Sequence, residues 1–176
     1  MIRVPALLCV GALGGLLLAG PGCTNGRTPD DLIGVDPNRT PARFAVSLTI
    51  MGTASDDPVL RPARYIVEAD GTLRAGVGPA ATPKDYPPII RRLDERQFAG
   101  LWSLVDRSRI MLDPDPARIG NPETEERRFG RTSAVVWART GGRTRAGRYE
   151  LVPPDPDAAR VEPLVRELAR LAWVDR

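Results

Sequence analysis

Histidine is missing from this 176-residue sequence, lysine occurs once (Lys84), and cysteine occurs twice, as Cys9 and Cys23. Without histidine the chain lacks the commonest general base and the commonest metal ligand at neutral pH. That excludes nucleophiles activated by histidine and zinc held by histidine. Two cysteines cannot build a multi-disulfide framework or a four-cysteine metal site, and no CxxC pair occurs. No Gly-rich phosphate loop and no nucleophile elbow is present, so the chemistry calls for no cofactor. Basic and acidic residues nearly balance at 25 and 22, without a basic stripe, which argues against a nucleic-acid partner.

What the sequence does contain begins with an apolar run. Arg3 is followed by 17 uncharged residues, 4–20, of which four are glycine, and then by Pro21, Gly22 and Cys23. A positive start, an apolar centre and small residues ahead of a cut site describe a secretory signal. Its length is at the lower limit of the roughly 17–25 residues that span a bilayer. The glycines weigh further against a lasting transmembrane helix. Leu16, Leu17, Leu18 and Ala19 ahead of Cys23 resemble the signals of the bacterial lipoprotein class, although Gly20 replaces the bulky aliphatic residue usual at the third position back. The resemblance covers residues 1–23 and implies removal of 1–22 as a signal peptide and lipidation of Cys23. It places the mature chain in the cell envelope, membrane-anchored and facing the periplasm or exterior. Cys9 leaves with the signal, and a lipid on Cys23 accounts for the remaining thiol.

Residues 23–42 are polar, with Pro29, Pro37 and Pro41, and read as a flexible tether. As a coil, this segment has an end-to-end distance of roughly 25 Å. A single α+β domain is expected over 43–176. Phe44, Val46, Leu48 and Ile50 alternate with Ala45, Ser47 and Thr49, predicting a strand over 43–51 with one buried and one wetter face. Asp70-Gly71 joins strands at 63–69 and 72–77 through a two-residue type I′ turn. The Pro-rich stretch 78–92 is read as irregular. Asp94 and Gln97 form a capping-box pair that opens a helix over 94–106. Phe98, Leu101, Trp102 and Val105 form its apolar stripe, so Trp102 is read as core. A second hairpin, 132–140 and 143–151, turns at Gly141-Gly142. The last helix is expected over 162–173, with Pro163 confined to its first turn. The fold is therefore one antiparallel sheet of about five strands with two helices on one face.

Two regions invite a chemical reading. The aperiodic stretch 113–131 carries Asp113, Asp115, Glu123, Glu125 and Glu126. These suggest calcium, but Pro114, Pro116, Ala117 and the arginines 127, 128 and 131 favour a solvated charged loop. A loop this long is nevertheless where a binding role is expected. In the second hairpin, Val135 and Trp137 share a face with Ala146. Arg143, Arg145 and Tyr149 share the other with Val136, which is read as the solvated side. For catalysis without histidine, a two-carboxylate hydrolase is the remaining class, with Glu68, Asp70 and Glu150 as candidates. The residues favour a non-catalytic envelope module that binds a protein or cell-wall polymer, with no assigned catalytic, cofactor or metal residue. A structural part in the assembly of an envelope complex is the third reading.

Overall fold

The computed structural model describes residues 40–52, 55–112 and 117–173. The signal segment, Cys23, nearly all of the tether, Asp113 and Asp115 lie outside the described residues.

Six strands form a single antiparallel sheet, one more than expected: β1 (Ala45–Gly52), β2 (Ala63–Val67), β3 (Thr72–Val77), β4 (Ile89–Arg92), β5 (Thr132–Thr140) and β6 (Arg143–Val152). Their order is β4-β3-β2-β1-β5-β6, so the first strand is central and one hairpin flanks it on each side. The unexpected strand, β4, is an edge strand that follows Pro87 and Pro88. Proline cannot donate to a ladder, which confines it to such positions. Here the Pro88 carbonyl still accepts from Ala75 N (3.2 Å) and brings the segment onto β3.

The apolar alternation of β1 sorts as expected. Phe44, Val46, Leu48 and Ile50 are all at most 1% exposed. They join one core with Leu101, Trp102 and Val105 of α1 (Glu95–Ser108) and Leu164, Val165 and Leu168 of α2 (Ala158–Leu171). Trp102 packs edge-on against Phe44 at 5.4 Å between ring centroids, a core position. The capping box is complete: Gln97 N donates to Asp94 Oδ1 (2.8 Å) and Asp94 N to Gln97 Oε1 (3.2 Å). Gly100 lies exposed within α1, with open space where a Cβ would stand. Gly100→Ala is expected to raise stability by about 0.5–1 kcal/mol, because alanine loses less backbone freedom than glycine in a helix. A urea titration checks this, and no gain would contradict it.

Three local expectations are corrected. The 63–77 hairpin has a three-residue loop: Gly71 N donates to Glu68 O and Glu68 N to Thr72 O (both 2.9 Å). Only Gly71 takes a positive φ (+83°), while Asp70 turns its carboxylate back to Thr72 N (2.9 Å). An aspartate that satisfies its own turn has no need of the left-handed region. The last helix starts at Ala158 rather than 162, which leaves Pro163 inside it. The Asp155 carboxylate holds the N–H groups of Asp157 (2.9 Å) and Ala158 (2.7 Å) and so opens the helix early. Lastly, the second face of the sheet is not wet across its middle. Thr49 and Val135, on that face, are 0% and 1% exposed.

Candidate functional site

The face away from the helices is built in cross-strand rows, because the registers of all six strands are defined. One row runs Arg64–Thr49–Val135–Arg148 and the next Met51–Ser133–Glu150. Further along the strands, a third row crosses the full sheet: Ile89–Arg74–Ile66–Ser47–Trp137–Ala146. The first two rows are roofed and the third is half open, which divides the face into two zones.

The roof is the segment 117–131, read from sequence as a solvated charged loop. It docks on β6 through its backbone: Ile119 N donates to Ala146 O and Arg148 N to Ala117 O, both at 2.8 Å. Beneath it, the Arg148 guanidinium spends four hydrogen bonds. Nε donates to Glu150 Oε1 (3.1 Å), Nη1 to Glu125 Oε2 (2.9 Å) and Glu126 O (2.8 Å), and Nη2 to Ser133 Oγ (2.9 Å). Arg128 Nη1 adds a second donor to Glu150 Oε1 (3.1 Å). A planar five-donor fork meets such a divergent set of acceptors, which a lysine cannot. Arg148 is thus the clasp that ties roof to sheet. Arg64 serves the same zone on the other side of β1, with Nη1 on Ser47 Oγ (3.2 Å) and Thr49 Oγ1 (2.8 Å). Burial lowers the Arg64 guanidinium below the usual arginine value, against the opposing pull of Asp85 and Glu123.

A cleft of about 340 Å³ opens beside the clasp, among Glu125, Arg128, Glu150 and Asp155. Its carboxylates are engaged by the protein itself. Asp155 receives the N–H groups of Glu150, Asp157 and Ala158, and Glu125 and Glu150 receive Arg148. Of these carboxylate oxygens, Glu150 Oε2 is buried with no partner among the described residues. The three carboxylates singled out from sequence do not converge. Asp70 closes its turn and Glu150 lies on β6 near Met51. Glu68 follows β2 near the opposite end of the sheet, where Tyr86 Oη and Arg74 Nε (2.6 Å) both donate to its Oε1. Those bonds, Tyr86's first, lower the Glu68 carboxyl below its usual range. Their stabilisation is present at neutral pH and is lost as pH falls through that lowered value. Among the described residues no group of three or more Cys, Asp and Glu side chains is placed to hold a metal ion. No described helix is long and apolar enough to cross a membrane.

The half-open zone is a furrow along the third row. Trp137 is its floor and lines two cavities at once. One, of about 410 Å³, is bounded by Arg43, Ala45, Ile66, Glu68 and Arg139. The other, of about 360 Å³, is bounded by Arg118, Ile119, Pro122, Arg145 and Ala146. The sequence paired Trp137 with Val135 and Ala146 on one face, and the register agrees. The solvent assignment holds for Arg143, which is exposed, and is reversed for Val136 and Tyr149. Val136 and Tyr149 are core residues at 0% and 1% exposure, and Trp137 faces the opening. Both faces of this hairpin carry apolar side chains, so alternation alone does not say which one the helices cover. The chain matches no protein-family model and no curated protein sequence.

Proposed function

We propose that this chain is an envelope lipoprotein, held to a membrane through a lipid on Cys23, whose α+β domain is a non-catalytic binding module. The signal-like run ending at Cys23 supports the address, and the polar tether supplies reach. The binding surface is the furrow over Trp137. The observation that carries this reading is an aromatic floor shared by two adjoining cavities on the one part of the sheet face left half open. A partly exposed tryptophan on an interior strand offers a rigid aromatic contact at little entropic cost.

Two measurements test the proposal. The membrane-extracted protein is expected to carry a diacyl mass that disappears in Cys23→Ser; an unmodified wild type sinks the anchor. A photocrosslinker replacing Arg139 at the furrow is expected to capture a partner in intact cells. The same group replacing Arg96 on α1 should not, and equal capture at both sites sinks the binding surface. A second reading rests on the free Glu150 Oε2 in the ionic cleft, where a two-carboxylate hydrolase would work. Release of reducing ends from envelope glycan, abolished by Glu150→Gln, would favour it.

A further inference from the structure

Resting on that reading of the furrow, we propose that its ligand is an anionic polysaccharide, a chain of sugar rings bearing carboxylates. The argument starts from what the strands can offer. Ile66, Ser47, Trp137 and Ala146 lie on four adjacent strands, β2, β1, β5 and β6. The furrow therefore runs across the strands rather than along an edge. On β1, β2 and β5 the main-chain groups are already paired with neighbours on both sides. A peptide lying here gains no ladder, and ladder bonds are the usual source of affinity when a sheet binds an extended peptide. Recognition falls to side chains alone.

Those side chains are of two kinds. Trp137 and Ile66 give an apolar floor, and an indole face suits the flat C–H face of a sugar ring while the hydroxyls remain in water. Around them stand arginines. Four of them, Arg43, Arg118, Arg139 and Arg145, line the two cavities against a single carboxylate, Glu68. Glu68 is itself neutralised by Arg74 at 2.6 Å. Arg43 and Arg139 are exposed, and their guanidinium groups have no hydrogen-bond or ion-pair partner among the described residues. A guanidinium meets a carboxylate through two parallel N–H bonds, so an unpaired pair beside an aromatic floor fits an acid-bearing ring. From Ile66 to Ala146 the row spans three strand spacings, about 14 Å, which is room for several linked sugars.

Oligogalacturonate is the probe, titrated by calorimetry against the detergent-extracted full chain, with a neutral cello-oligosaccharide and polyglutamate beside it. Oligogalacturonate is expected to bind saturably and to outbind both comparators, and more weakly as salt rises. Trp137→Ala should weaken it by about tenfold, with Trp137→Phe restoring most of the loss. Arg43→Gln with Arg139→Gln should weaken it and flatten its salt dependence, whereas Arg96→Gln on α1 should change nothing. Thermal melts of each variant check that the fold is kept. Binding that is insensitive to Trp137 and to both arginines overturns the proposal, as does no binding at all. Tighter binding of polyglutamate, still dependent on Trp137, overturns the glycan and leaves the furrow standing as a peptide site. If no probe depends on Trp137 and crosslinking at position 139 captures nothing, the furrow itself falls.

Discussion

Arg148→Ala is expected to cost about 3–5 kcal/mol, the range for removing one partner of a buried ionic cluster. Three features place it there. The Arg148 side chain is 6% exposed and its two carboxylate partners, Glu125 and Glu150, are 20% and 10% exposed. Removing the guanidinium therefore leaves two acids, the Glu126 carbonyl and the Ser133 hydroxyl with one donor fewer in a place water scarcely reaches. The cost also falls on one part of the molecule. Segment 117–131 keeps its two backbone bonds to β6, the Arg128 contact and the Arg127 bond to Ala81 O (3.4 Å) but loses its most buried tie, so protection from hydrogen exchange should drop there before it drops in β1 or β2. The loss should persist at high salt, because buried pairs are poorly screened. Replacing Arg148 and Glu150 together by methionine should recover a large share of it, since a matched apolar pair leaves fewer unsatisfied groups. Chemical denaturation with site-resolved exchange is the measurement. A loss below about 1 kcal/mol, with exchange in 117–131 unchanged, would show that the clasp holds nothing.

Gly52→Ala is expected to be nearly as damaging, at about 3 kcal/mol, for a different reason. Gly52 ends β1 opposite Thr132 and holds φ at +126°, a conformation that side chains rarely adopt. A Cβ there would stand 2.7 Å from Thr132 Cα and closer still to the Arg131 carbonyl oxygen. Both are backbone atoms, so no side chain can swing aside. The clash must be relieved by parting β1 from β5 at the point where the 117–131 segment enters the sheet. Gly130→Ala serves as the comparison, because its φ is also positive (+66°) but its Cβ would meet open space. The difference between the two in a urea titration reports the clash together with the added strain of a φ beyond the left-handed region. Equal losses would show that close approach to Arg131 contributes nothing.

The sequence made the elements with redundant signals legible. For β1, the alternation of Phe44, Val46, Leu48 and Ile50 needs no context. For α1, the Asp94–Gln97 box and the stripe through Trp102 agree on the same start and the same buried face. Elements with a single or conflicting signal were not legible. β4 is four residues behind two prolines, too short for any period and visible only through its pairing with β3. The start of α2 was hidden because Pro163 argues for a late start, whereas Asp155 achieves an early one through hydrogen bonds that sequence alone does not display. For the site, hairpin pairing was readable but not the face on which the helices pack. Arg143 is exposed and Arg145 half-buried where it lines a furrow cavity, whereas Arg148, in the alternate phase of the same strand, is the buried clasp. Arg148 and Glu150, two apart on one strand, were a readable same-face ion pair. Glu125 and Asp155 were not readable as their partners, because they arrive from loops without a period.

The position of β1 at the centre of the sheet also dictates timing. Its ladder partners on one side, in β2, follow it closely in the chain, but those on the other side, in β5, come after both the helix α1 and the segment 117–131. Pairing across so long a separation has a large loop-closure cost and is slow. A chain emerging from its amino end therefore exposes one bare edge of β1, with Thr49 and Leu48 unpaired on that side, until its last quarter arrives. The sheet closes only when the carboxyl-terminal hairpin is free to dock.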